Sequence, residues 1–120
     1  MANRVFIDKT DVIRIVTVGS QTYESVKQIE RDVRVISDKL RAQGKPVKIL
    51  DDLTLMTSQN MGARKAALEL MSLLPTGKIA IFGSSRIVRH VANLIITASG
   101  KTNSVKQFET EELALKWLNE

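Results

Sequence analysis

Two β-branched runs open the chain, Val5-Phe6-Ile7 and Val12 through Val18, with polar Asp8-Lys9-Thr10-Asp11 between them. This pattern predicts a strand hairpin whose second arm ends at Gly19. Thr22 then offers an N-cap with Glu24 in the first turn, and Val26, Ile29, Val33, Ile36 and Leu40 step by three and four along one apolar helix face. Gly44 and Pro46 stop that helix. Val47 to Leu50 predicts a short central strand. A second helix starts near Gln59, with Ala63, Ala66, Ala67, Leu70 and Leu74 on one face and a stop at Pro75. Thr76-Gly77 turns the chain into Ile79-Ala80-Ile81-Phe82, a run typical of a strand buried on both faces. Gly83-Ser84-Ser85 opens a third helix that ends near Gly100. Val105 to Phe108 predicts a last strand, and Thr110 caps a final helix with Leu113, Trp117 and Leu118 facing inward.

The order β-β-α-β-α-β-α-β-α predicts an α/β fold in which an antiparallel hairpin leads into a mostly parallel sheet with right-handed crossovers. With 120 residues and no linker or repeat, residues 1–120 read as one domain. The chain is 43% hydrophobic and 26% charged, as in ordinary globular proteins, and no apolar run approaches a membrane span. The opening residues lack the pattern of a secretory leader, so a cytoplasmic protein that is not integral to a membrane is expected. Zero cysteines excludes disulfides, thiolate metal sites and cysteine nucleophiles.

The formal net charge is +5, and no acidic residue lies between Glu69 and Glu109, where Lys78, Arg86, Arg89, Lys101 and Lys106 fall. A one-sided basic surface that attracts anionic partners is one reading, and charge serving solubility is the plainer one. Nucleic acid is a poor candidate, because aromatics are only 4% of the chain and the stacking residues of an RNA-reading sheet are missing.

The segments "KILDDLT" (48–54), "KIAIFGSS" (78–85) and "VKQFETEELALKWLNE" (105–120) resemble the SpoIIAA-like branch of the STAS family. That family comprises anti-sigma-factor antagonists, and this branch is often grouped with Sec14-type lipid-binding domains. The resemblance covers roughly residues 12 to 119, and its C-terminal ending is carried by Phe108, Glu112, Ala114, Trp117 and Leu118. It implies a STAS fold, no enzymatic activity and a protein partner in a bacterial-type regulatory setting. It also implies a phosphoacceptor in the loop after the central strand, at Thr57 or Ser58. Thr57 stands where the family has an aspartate, and Gly62 lies further along than the family's glycine. The residues alone read more plainly as an N-cap by Ser58 or Asn60.

Asp51 and Asp52 are adjacent, so on a strand they point to opposite faces and read as solvated strand-end charges rather than a metal pair. Ser84, Ser85 and Arg86 follow a buried strand at a helix start, where open α/β sheets bind ligands. With Arg89 and His90 they form a candidate anion site, although capping alone accounts for the serines. The third helix is apolar around most of its circumference, more than one sheet face buries. Its further cover is a neighbouring helix, a second copy in a homodimer through residues 86–98, or a small amphipathic ligand. With one histidine, no G-x-S-x-G and no nucleotide-binding glycine motif, the sequence assigns no catalytic residue, metal or cofactor. The leading expectation is a non-enzymatic, protein-binding regulatory module; the alternative is a domain for a small anionic or lipid-like ligand.

Overall fold

A computed structural model describes residues 2–73 and 77–120. Its elements run β1 (Arg4–Ile7), β2 (Ile13–Gln21), α1 (Tyr23–Ala42), β3 (Lys48–Gln59), α2 (Met61–Leu73), β4 (Lys78–Phe82), α3 (Arg86–Ser99), β5 (Val105–Phe108) and α4 (Glu111–Leu118). The predicted order is the observed one. Leu74, the stop at Pro75 and Thr76 of the predicted turn lie outside the described residues.

The five strands lie side by side in chain order, with β1 antiparallel to β2 and every later pair parallel. Successive right-handed crossovers that step in one direction put their helices on one face, so α1, α2 and α3 share a side of the sheet. Ile29, Val33 and Leu40 of α1, Met71 of α2 and Ile96 of α3 form one core there with Ile13, Ile15, Ile49, Leu53, Ile79, Ile81 and Val105. Among the described residues only α4 covers the other face. Ala114 and Leu118 pack there on Val12, Leu50 and Ala80, with Phe82, Phe108 and Trp117 alongside.

The C-terminal motif is therefore structural. The Phe108 and Trp117 rings lie 5.6 Å apart, and the Lys78 ammonium sits 5.0 Å from the Trp117 ring centroid while donating to the Trp117 carbonyl at 2.9 Å. Arg14 on β2 bonds both Asp8 and Glu111, tying the hairpin to the start of α4. Thr22, Ser85 and Thr110 cap α1, α3 and α4 through their side-chain oxygens. Gly44, at φ +71°, follows the end of α1 in the left-handed conformation that favours glycine.

Two expectations need correction. The second strand does not stop at Gly19 but reaches Gln21, and the central strand is not short: β3 runs on through Asp51, Asp52 and Ser58 to Gln59. Pairing with β2 rewards the extension, since Thr57 and its neighbours suit a pleated backbone and the longer partner supplies hydrogen bonds. Two register shifts against β2 accompany it, between Val16 and Val18 and between Gly19 and Ser20. After them the residues of β3 that face the helices are Asp51, Leu53, Met56 and Gln59 rather than a strict alternation.

Candidate functional site

The helix-covered face encloses a cavity of ≈ 90 Å³ between the sheet and α1, α2 and α3. Its wall is aliphatic except for Thr17, Gln21, Asp51 and Gln59. Asp51 sits mid-strand beside these apolar side chains, so it is not the solvated strand-end charge expected. Its Oδ1 accepts the Thr17 hydroxyl at 3.0 Å. Burial pushes the Asp51 carboxyl up to about 7, against the bond from Thr17, and the neighbouring Asp52 charge adds to the rise. Asp52 points the other way and accepts the Thr54 backbone N–H at 2.9 Å. The two carboxylates do not converge, as their adjacency on a strand predicted.

The end of β3 places Thr57 and Ser58 within the strand rather than in a loop, both exposed. The Ser58 hydroxyl lies 3.0 Å from Ser20 Oγ, and Thr57 Oγ1 lies 3.4 Å from the same atom. Neither caps α2. Asn60 does, its Oδ1 accepting the Ala63 N–H at 2.8 Å, so of the two caps expected the asparagine is the one observed.

At the start of α3, Ser84 is buried and its hydroxyl donates to Gln107 Oε1 at 3.0 Å. Ser85 accepts from the Val88 N–H at 3.3 Å. Gln107 in turn donates to the Arg89 carbonyl and to Asn93 Oδ1. Both serine hydroxyls are thus engaged, Ser84 in holding the start of α3 to Gln107 of β5 and Ser85 in capping α3. Arg86 and His90 are exposed, and Arg89 is half-buried. Lys106 joins two basic neighbours: with Lys78 it flanks Trp117 on the α4 side, and with Arg89 it lines a groove at the β5 edge.

The outer side of α3 carries an apolar stripe among exposed Arg86, His90, Asn93 and Thr97, with Val91 of the stripe half-buried. Ile87, Val91, Leu94 and Ala98 follow the four-three-four spacing of one helix stripe, with Ile87 76% and Leu94 60% exposed. Arg86 and His90 border this ridge. Among the described residues no three acidic or histidine side chains group as a metal site, and no helix is long and apolar enough to cross a membrane.

The carboxylate in the cavity is what sequence reasoning missed. A signal existed: Asp51 falls in register with Ile15, one pleat from the inward-facing Thr17, but it becomes readable only once the β2–β3 pairing is known.

Several solved structures share this fold. The anti-sigma factor antagonist SpoIIAA in its unphosphorylated form superposes with a TM-score of 0.68 at 16% identity, over 98% of both chains. The Bacillus cell fate determinant SpoIIAA in its phosphorylated form gives 0.63 at 19% identity, over 97% of this chain and 98% of that one. An uncharacterized protein of the DUF3478 family from Shewanella loihica, with a SpoIIAA-like fold, gives 0.65 at 21% identity, over 98% of this chain and 92% of that one. The chain therefore has the SpoIIAA-like STAS fold. No curated protein matches it by sequence. Residues 13–120 match the family described as Domain of unknown function (DUF7793), and the chain belongs to that family.

Proposed function

We propose that the chain is a non-enzymatic regulatory module of the STAS-like fold that acts in the cytoplasm by docking a protein partner on the outer face of α3. The observation that carries this reading is the ridge of exposed Ile87, Leu94 and Ala98 with half-buried Val91 among them. A soluble domain rarely leaves such a contiguous apolar stripe on a well-formed helix without a use for it. Arg86 and His90 beside it, in a stretch without acidic residues from 70 to 108, fit a partner surface that is apolar at its centre and edged with carboxylates. The likeness to an anti-sigma factor antagonist supports a regulatory setting.

The test pairs light scattering with affinity capture from the host, using wild type, Leu94→Lys and Arg86→Glu/Arg89→Glu. The reading expects a monomer whose captured partner is lost with Leu94→Lys and weakened with the charge reversal. Identical captures by all three proteins overturn it. A wild-type dimer that Leu94→Lys dissolves and the charge reversal leaves intact assigns the ridge to a second copy instead.

A further inference from the structure

The sheet ends at β5, which pairs with β4 on one side only. The Ile79 N–H donates to the Ser104 carbonyl at 2.8 Å, so in this parallel ladder Ser104, Lys106 and Phe108 direct their backbone groups toward β4. Val105 and Gln107 direct theirs the other way. The Val105 N–H is taken by the Lys101 carbonyl at 2.9 Å. The Val105 carbonyl and both backbone groups of Gln107 remain at the open edge, and among the described residues no strand lies beyond them.

Beside this edge, between β5 and α3, runs a groove of ≈ 430 Å³, within the range of about 300 to 1,000 Å³ of ligand clefts. Its helix wall is Arg89, Asn93 and Thr97, which fall on one stripe at i, i+4 and i+8. The Gln107 side chain holds that wall in place, donating to the Arg89 carbonyl at 2.8 Å and to Asn93 Oδ1 at 2.9 Å. No acidic residue lines the groove. On the other face of the same strand Lys106 is exposed, its ammonium 5.5 Å from the Trp117 ring centroid. A strand added here would turn its side chains alternately toward the two faces, and each face presents a cation.

We infer that the β5 edge is a docking site for an extended acidic peptide segment, which adds as a sixth strand and sets its carboxylates against Arg89 and Lys106. Backbone bonds to Val105 and Gln107 fix its register, and the two cations select its sequence. A second copy of this chain fits the edge badly, because antiparallel pairing of β5 with β5 brings the two Lys106 ammoniums together on one face. The site shares no residue with the Ile87 to Ala98 ridge, and neither reading depends on the other. Arg89 belongs to the charge reversal that tests the ridge, so the variants used here are Lys106→Glu and Leu94→Lys.

The probe is the capped hexapeptide Val-Glu-Glu-Val-Glu-Glu, which carries glutamates on both faces when extended. It is titrated into the full chain to about 10 mM and followed by backbone amide NMR and amide exchange. One control replaces every glutamate with lysine, and the other is the glutamate peptide methylated at every backbone nitrogen, which has no N–H groups for a strand. Both protein variants are checked for a native-like spectrum first. The Gln107 amide, open to water in the free protein, should shift saturably and exchange at least about tenfold more slowly with the peptide bound. Lys106→Glu should weaken binding about tenfold, Leu94→Lys should leave it unchanged, and neither control should bind. No saturable shift by about 10 mM, unchanged exchange at Gln107, equal binding by Lys106→Glu, or binding of either control would overturn the assignment. Loss of binding in Leu94→Lys would move the peptide to the ridge, and Gln107 protection that grows with protein concentration alone would give the edge to a second copy; either result overturns it as well.

Discussion

Replacing Asp51 with asparagine should make the protein more stable at neutral and mildly basic pH and should flatten its pH profile. The folded chain holds the Asp51 proton up to about pH 7, whereas the unfolded chain releases it near the ordinary aspartate value of 3.8. A carboxyl raised in this direction contributes stability that is complete below about pH 4, declines as pH climbs toward about 7, and is gone above about 8. The shift of about three pKa units corresponds to about 4 kcal/mol, and partial solvent access lowers the expected loss toward about 2 kcal/mol. At about 2 cal/mol/K of unfolding entropy per residue, that becomes a fall in Tm of about 8 to 16 °C between about pH 4 and pH 8. Asp8, held at about 2 mainly by its bonds to Thr10 and Arg14 against an opposing burial contribution, titrates below this window; its stabilisation is present above about pH 4 and is lost as pH falls through about 2. Asparagine keeps an acceptor for the Thr17 hydroxyl and has no charge to bury. Calorimetry across this range should therefore show the steep decline in wild type and most of it missing in Asp51→Asn. Equal slopes in the two proteins would refute the buried-carboxylate argument.

Four further outcomes can be measured directly. Asn60→Ala removes the α2 cap and should lower stability by about 1 kcal/mol in urea unfolding, whereas Ser58→Ala should stay within about 0.5 kcal/mol. Gly83→Ala should lose more than about 2 kcal/mol, because φ there is +82° and an added Cβ would meet Thr54 Oγ1 and come within 2.9 Å of the Thr54 nitrogen; an unchanged Tm would contradict that geometry. Leu94→Lys should leave stability within about 0.5 kcal/mol, since the residue is 60% exposed, so a large loss of Tm would show that Leu94 is covered. Intact-mass spectra of protein from its own host should show Thr57 and Ser58 unmodified, and a phosphatase-removable phosphate mapped to Ser58 would make the β3 end a switch.

The elements readable from local pattern share a cause: one face of each is buried and the other is not. In α1 the apolar stripe from Val26 to Leu40, the Thr22 cap and Gly44 all state the same answer within one segment. The same holds for Thr110 and Trp117 in α4. The β3 boundary was not legible because two carboxylates normally end a buried strand. Asp51 stays inside only because Thr17 on another strand meets it and because its pKa shifts instead of its position. That solution is written in the pairing of β2 with β3, a long-range property. The α3 imbalance was legible as an excess of apolar surface. Which residues stay outside, Ile87 and Leu94 rather than Ala92 and Ile96, depends on how Ser84 and Gln107 fix the helix against β5 through Arg89 and Asn93.

The two register shifts also decide what β3 can do. Without them, strict alternation from Asp51 would carry Thr57 and Gln59 inward and Met56 outward. With them, Met56 and Gln59 face the helices, on the same side of the sheet as Asp51, while Thr57 and Ser58 meet Ser20 at the exposed surface. One strand thus presents acceptors to an enclosed apolar space and hydroxyls to solvent a few residues apart. Packing against the helices and chemistry at the hydroxyls would act on the same stretch of backbone, between Leu53 and Gln59, where the pairing with β2 is irregular. Met56→Ala, which removes an inward side chain from this stretch, should raise amide exchange at Thr57 and Ser58 as well as at Met56 itself. Faster exchange confined to Met56 and its inward neighbours would show that the shifted register separates the packed side of the strand from its exposed hydroxyls rather than joining them.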